Sequence, residues 1–545
     1  MAGIGNSVYN DKNNEKRSHV TGGLLHMSTK LAAALGVVGA LFVAGAAEAQ
    51  KSADTLRIAV TDMFSVTDPY HLPLDENAAF YRSIYQGLVD FDEYERKFVP
   101  ILSKSWKRID DMTVEFDLRD NVKWDNGDSF TADDVKATID YITDEKTRIR
   151  FKERYTFIKQ VEVLGPHKLR LHYKYKTPFD LATLGYNIKI INGKALNKLE
   201  NKADYGRVSP IATGAYKINY VDKNKGIMVE RVENYYGDAG GYYRAPTKRV
   251  HGIPLPDSQS QVAQLMTGGV DLLRFVSSED AKQLAAVPNL AVTVTPSVSL
   301  VYVTLDAVGR SSNKIMTDER VRKAFIMAIP RDLIVKNIVA GGDKAELPRS
   351  ICFKATIACE PTVEPYAYNP SEAKRLLVEA GYGNGVDLTI SAHAPHKHIA
   401  EAIAGEVRKV GIRATVEAMP LPVYVKKRGD GELTAFVGLY PTSVNPDTDG
   451  LLDLFFNADR DYWRDPIITK AKEDGAMEMD LKKRTALYTP ALNRINEKAY
   501  IYPLTEQPMV WAHTKDVKLL RQTLSAADPR LGDYAWSDYK AKDIK

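Results

Sequence analysis

The stretch Thr113–Val135, TVEFDLRDNVKWDNGDSFTADDV, constrains the fold more than any other part of this chain. Val114, Phe116 and Leu118 alternate with Glu115, Asp117 and Arg119, which puts apolar groups on one face of a strand and charge on the other. Asn126-Gly127 reads as a turn, because both residues tolerate positive φ. Thr131, with Asp134 three residues later, has the form of a helix N-cap with an acidic N3 partner. The order is strand, turn, helix, and the strand is half buried.

At 545 residues the chain is too long for one ordinary core and predicts two to four domain-sized units. Its 44% hydrophobic and 26% charged composition is globular, with no low-complexity tract. A net charge of +4 spread over this length, without a dense Lys/Arg run, points away from nucleic acid. Leu31–Ala47 is an uninterrupted apolar run followed by Ala47-Glu48-Ala49, the small-x-small pattern of a signal-peptidase site. A membrane anchor is the rival reading, but the run is short for spanning and no basic stop-transfer cluster follows it. The expectation is export with cleavage near Ala49-Gln50, from a start at Met27 that leaves residues 1–26 without functional meaning. No cysteine lies near the cleavage site, so the expected product is soluble and not a lipoprotein.

The two cysteines, Cys352 and Cys359, read in an oxidising compartment as a disulfide closing a small loop. A metal site is the alternative, for which two thiolates without further Cys or a His pair are a poor set. Closing so short a loop is worth roughly 2 kcal/mol by the chain-entropy estimate, so its role is local shaping.

Along the chain, Thr55–Val60 reads as a first strand and 77–87 as a helix stopped by Gly87. Short alternating segments then run through His172. Ser258–Thr267 reads as a helix. Asp318–Ala340 has a helical pattern that Pro330 should split, since proline lacks an N–H and clashes with the preceding turn. From Ser371 the text alternates helix, strand, helix, strand, which predicts an α/β lobe with parallel pairing, and a last helix covers 482–498.

Several segments, in order, resemble the periplasmic solute-binding proteins of ABC importers, family 5, which include oligopeptide-, dipeptide- and nickel-binding receptors. Besides Thr113–Val135 these are Ala212-Thr213-Gly214-Ala215-Tyr216, Glu233-Asn234-Tyr235-Tyr236-Gly237, Ile253–Asp257 through Asp271, and Asp318–Arg331. Trp124, Gly127, Gly214 and Arg322 within them are expected to be scaffold. The resemblance implies an α/β, three-lobed fold in which two ligand-enclosing lobes are joined by a hinge and a β-rich lobe is added. Lobe I would comprise 50–91, 209–298 and 507–545, lobe II 92–208, and lobe III 299–506, after a leader of 1–49. It implies a monomeric, periplasmic, cofactor-free protein that captures a small-molecule solute and passes it to an inner-membrane ABC permease with its ATPase subunits.

By position in the family pattern, the pocket strand falls on 437–446, with Leu439, Tyr440, Thr442 and Asn445 as ligand-contact candidates. Peptide-binding relatives carry a tryptophan and an aspartate where this chain has Leu439 and Thr442. A neutral hydroxyl cannot replace a carboxylate as partner to a desolvated ammonium, a bond worth roughly 1.5–3 kcal/mol, which puts an unmodified peptide amino terminus in doubt. Asp447 and Asp449 could substitute, although acids on such a strand exit are more often solvated or turn-forming. The facing wall corresponds to Asp75, Glu76 and Asn77, where the acids could equally serve the following helix dipole. A third wall is expected around Arg274 and Phe275. His393, His396 and His398 fall within six residues and admit three roles: metal ligation, hydrogen bonding to ligand, or a solvated loop. The arginine that dipeptide receptors keep near this loop is not evident. No Gly-x-Ser-x-Gly elbow or His-Glu-x-x-His motif supports a secreted hydrolase, and Gly381-x-Gly383-x-Gly385 reads as a helix stop and turn.

Overall fold

The computed structural model describes residues 54–61, 69–71, 78–92, 97–149, 152–205, 211–237, 245–297, 299–354, 356–440, 447–457, 460–520 and 530–540. The predicted leader, Asp75, Glu76, Asn77, Thr442 and Asn445 lie outside the described residues. Among the described residues no helix is long and apolar enough to cross a membrane.

Thr113–Leu118 lies inside a four-stranded antiparallel sheet, between Ser103–Asp110 and Lys168–Tyr173, with Ile158–Gly165 beyond. Val114, Phe116 and Leu118 are buried on one face, in a core shared with Leu169, Leu171, Val135, Ile139 and Ile142. The other face carries Glu115, which is paired with both Lys168 and Arg170 of the neighbouring strand. The turn differs from expectation in one respect: Gly127 takes a positive φ of 89°, whereas Asn126 does not. Gly127 N–H bonds Trp124 O and Trp124 N–H bonds Asp128 O, so the loop is a tight turn closed by a left-handed glycine. Asp134, at N3 of helix Ala132–Thr143, accepts from Thr131 N–H at 3.0 Å, Trp124 Nε1–H at 3.2 Å and Gly193 N–H at 2.9 Å. One buried carboxylate thereby ties turn, helix and a distant loop together.

The second sheet has five strands, in the order Ile412–Met419, Val386–His393, Ala435–Tyr440, Leu300–Leu305, Ile501–Glu506. The first three run parallel, as the alternating helix–strand text predicts. Helix Lys397–Arg408 connects two of them and buries Ile399, Ile403 and Val407. Proline does break the long helical pattern, with helix Glu319–Met327 on one side and Arg331–Ile338 on the other, Pro330 serving as N-cap of the second. Cys352 and Cys359 form the disulfide.

The largest sheet has seven strands, in the order Leu290–Thr295, Met509–Thr514, Leu272–Leu273, Thr55–Val60, Arg249–Pro254, Gly226–Arg231, Tyr216–Asp222. Thr55–Val60 runs parallel to the strands on both its sides. The chain leaves this sheet after Thr295, enters the five-stranded one at Leu300 and returns between Glu506 and Met509, with Thr295 paired to Met509 and Leu300 to Glu506. The two crossings are bonded to each other: Gln507 N–H donates to Ser299 O at 2.8 Å, and Ser297 Oγ–H donates to Gln507 O.

Two residues of the motif segments, Gly214 and Arg322, tie separate elements together. A Cβ on Gly214 would stand 2.2 Å from Ser83 O, so only glycine lets this loop close on the end of helix Ala78–Ile84. Buried Arg322 donates to the carbonyls of Met316, Thr317 and Lys498.

Candidate solute-binding site

In sheets with parallel strands, ligands collect outside the carboxyl ends of the strands. Thr55–Val60, Arg249–Pro254 and Leu272–Leu273 all run toward the crossovers in the seven-stranded sheet, because Leu273 pairs with Ala512 on the strand that begins at Met509. In the five-stranded sheet His393, Met419 and Tyr440 end the parallel strands, and the register places Leu300 and Glu506 at the same edge. The carboxyl edges of both sheets therefore meet at the two bonded crossings.

On the seven-stranded side, Phe275, two residues past Leu273, has φ +57°, a left-handed conformation costing of order 1 kcal/mol for a residue with a side chain, and the residue is 49% exposed. Its neighbours hold it there. Val276 N–H bonds Val510 O, and the Ser277 side chain caps helix Ser278–Ala285 by accepting from Asp280 N–H. The Arg274 guanidinium, on a mostly buried side chain, lies 5.6 Å from the Phe275 ring centroid. Just past Val60, the Thr61 hydroxyl is buried without a hydrogen-bond partner among the described residues. The Gln507 side chain, on the crossing itself, lies beside the buried His396 imidazole.

On the five-stranded side His393 is half-buried, with its ring 5.9 Å from that of His396 and 6.4 Å from that of Tyr424. Burial holds His393 below the usual imidazole value. His396 is pushed down to about 4 by burial and by the neighbouring His393 and His398. These imidazoles are neutral at pH 7 and able both to donate and to accept. Among the described residues no three His, Cys, Asp or Glu side chains are placed to hold a metal ion. Leu439 is partly buried against the helix-covered core, and the Tyr440 ring is buried on the opposite face of its strand with Leu300, Tyr302 and Phe436. Gly438 lies beneath Tyr302, where a Cβ would come within 2.4 Å of the ring.

Asp447 and Asp449, which could have met a cation, are committed elsewhere: of the expected roles, solvated or turn-forming, both acids are buried and Asp447 takes the turn-forming one. Asp447 caps helix Thr448–Phe455 and pairs with Arg484 at 2.7 Å, with both side chains nearly inaccessible. Asp449 accepts from Tyr488 Oη–H at 3.2 Å, and burial with the nearby Asp447 and Asp453 pushes its carboxyl up to about 7. Sequence reasoning missed Glu506. Burial and the negative Glu346 push its carboxyl up to about 8, which leaves it mostly protonated at neutral pH. Its only sequence signal was an acid closing the apolar strand IYPLTE.

Residues 97–463 match the family described as bacterial extracellular solute-binding proteins, family 5. The chain belongs to this family. It is the solute-binding component of an ABC importer, an extracytoplasmic part that hands its solute to a membrane permease. It is similar to the glutathione-binding protein GsiB of Shigella dysenteriae, with 26% identity over 476 residues, covering 83% of this chain and 89% of the relative. The same protein of Escherichia coli K12 is 25% identical over equal coverage. Among solved structures, the ABC transporter substrate-binding protein CtaP of Listeria monocytogenes matches with a TM-score of 0.79 at 20% identity, covering 89% of this chain and 99% of that one. The NikA protein of Brucella suis, in complex with Fe(III)-EDTA, matches with a TM-score of 0.78 at 20% identity, covering 89% of this chain and all of that one. These likenesses establish the α/β binding-protein fold. The relatives are binding proteins rather than enzymes.

Proposed function

We propose that the importer's solute is a short peptide or peptide-like compound, with glutathione the first to test, bound where the carboxyl edges of the two large sheets meet. The observation that carries this reading is the convergence of both edges on two mutually bonded crossings. The similarity of most of the chain to glutathione-binding proteins supports it. Arg274 offers a cation for a solute carboxylate, Phe275 an exposed ring, and His393 a neutral hydrogen-bonding group. Thr442 stands where peptide receptors have an aspartate, so the solute's amino group is displaced or modified, as it is in a γ-linked peptide.

The solute is enclosed by lobe I, formed by 50–91, 209–298 and 507–545, and lobe III, 299–506, with 92–208 as an added lobe. The sheets support this division, since the seven-stranded sheet draws only on the first set, the five-stranded sheet on the second and the four-stranded sheet on the third. Closure is a hinge motion about the crossings, biased by contacts to both edges. The protein acts as a monomer in the periplasm after its leader is cleaved, without nucleic acid and without catalysis.

Calorimetric titration of the purified chain with glutathione and a set of di- and tripeptides tests this. One-to-one saturable binding is expected for at least one of them. Phe275→Ala and His393→Ala should each weaken it about tenfold, the loss of one ring contact or one hydrogen bond. Unchanged affinity in both variants, or binding of a nickel–histidine chelate in place of every peptide, overturns the reading.

A further inference from the structure

Side chains that alternate along the strands give each large sheet two faces. In the seven-stranded sheet Leu272 and Trp511 face a core that includes Phe116 of the four-stranded sheet, whereas Leu273 and Val510 face helices Ser258–Met266 and Ser278–Ala285. In the five-stranded sheet Phe436 and Tyr440 face one core, and Val303 and Val437 face another, under helix Lys397–Arg408. Two charge interactions tell which faces lie on the same side of the molecule. Arg154, in the turn leading to strand Ile158–Gly165, acts on the Tyr440 phenol. Lys176, paired with Asp111 at 2.5 Å, is also acted on by Glu478, which follows a helix that buries Ile468 in the Tyr440 core. The four-stranded sheet thus lies on the Tyr440 side. This is the front, and the His393 ring, 6.4 Å from that of Tyr424 in the same core, belongs to it.

At the back one loop joins the two large sheets. Val339, just past helix Arg331–Ile338, is buried in the back core of the five-stranded sheet, and the next residue, Ala340, packs on the back core of the seven-stranded one. Gly341 follows with φ +70°, and a Cβ on it would stand 2.7 Å from Val294 Cγ1 and 3.3 Å from both Pro508 Cβ and Val510 Cγ2. Glycine meets both demands, the left-handed backbone and the close approach. Each end of the loop is anchored on its own side. Gly342 N–H bonds Val339 O at 2.9 Å, and Glu506 N–H bonds Glu346 O at 2.9 Å. The loop is a knob held by one sheet and seated in a notch of the other, beside the crossing at Pro508.

Front and back respond oppositely to closure. Bringing the front edges together about the crossings draws the back apart, and contacts made in only one arrangement bias the equilibrium toward it. We propose that the Ala340–Gly341 knob is a stop that opposes closure: seated between Val294, Pro508 and Val510 it favours the open cleft, capture of the solute unseats it, and its fit in the notch sets the solute affinity. This rests on the closure about the crossings proposed above.

The first test needs no solute. Small-angle X-ray scattering of the full exported chain should give a smaller radius of gyration for Gly341→Trp than for the wild type, because the indole cannot occupy the notch; Gly341→Leu takes its place if circular dichroism shows that the indole disrupts the fold. An equal or larger radius in the folded variant overturns the proposal. Calorimetry with glutathione, or whichever peptide saturates the wild type, then reads the milder Gly341→Ala. One added methyl overpacks only the seated arrangement, so binding should tighten about tenfold. Adding Val294→Ala makes room for that methyl and should return the affinity to within about twofold of the wild type. Unchanged or weaker binding in Gly341→Ala, or tightening that persists in the double variant, overturns the proposal. A wild type that no peptide saturates counts against the peptide reading alone, and the scattering still decides the role of the knob.

Discussion

Arg484→Met is expected to destabilise the folded chain by about 3–5 kcal/mol, the usual cost of leaving one member of a buried ion pair alone. Arg484 Nη2 and Asp447 Oδ2 are 2.7 Å apart, with side-chain exposures of 5% and 2%. Asp447 cannot relax into water, because it also caps helix Thr448–Phe455 through the Asp449 N–H. Burial already raises the Asp447 carboxyl, and Arg484 is the charge that opposes this. Without the arginine the carboxyl rises further, and the folded state takes up a proton that the unfolded state releases. A raised acid is least costly below its unfolded value, so the loss should be smaller near pH 5 than near pH 8. Urea unfolding at both pH values measures it, and Arg484→Met combined with Asp447→Asn should recover much of the loss. A single-variant cost under about 1 kcal/mol, typical of exposed pairs, would mean that the pair is solvated.

Glu506→Gln should act in the opposite direction. Burial and the negative Glu346 push the folded carboxyl up to about 8, well above its ordinary value. Its contribution to stability is therefore fully present in acid and is lost as pH rises from the ordinary glutamate range through 8. The wild type should lose of the order of a few kcal/mol over that window, discounted for partial solvent access at the strand end. The glutamine variant, unable to ionise, should lose less and be the more stable protein at pH 9. Chemical denaturation from pH 5 to pH 9 reads this directly. Parallel pH profiles for the two proteins would show that Glu506 is solvated and plays no part in the pH response of the crossing.

How much of this was legible in the sequence depends on whether the signal is local. Strand, turn and helix at Thr113–Val135 were legible because alternation, Asn-Gly and the Thr131/Asp134 spacing act within a few residues. The helix break at Pro330 and the parallel strands after Ser371 were legible for the same reason. Asp134 was expected only as a cap. Its bonds to Trp124 and Gly193 need a contact across 59 residues, which no local pattern encodes. The ion pair of Asp447 escaped notice because its partner is 37 residues away on another helix. Glu506 escaped notice because one acid at the end of an apolar strand has no period, and its burial arises from the pairing with Leu300 and the nearness of Glu346. The strain at Phe275 was invisible too, since aromatic residues carry no signal for left-handed backbone.

The most direct test of the central claim is amide hydrogen exchange of the exported chain with and without saturating glutathione or whichever peptide binds in its place. Slowed exchange at 273–276, 392–396 and 438–440, together with the crossings at 296–299 and 506–508, is the predicted result, since a solute held between the two carboxyl edges orders both edges and the hinge. Saturation with unchanged exchange at those segments would place the solute elsewhere and contradict the account.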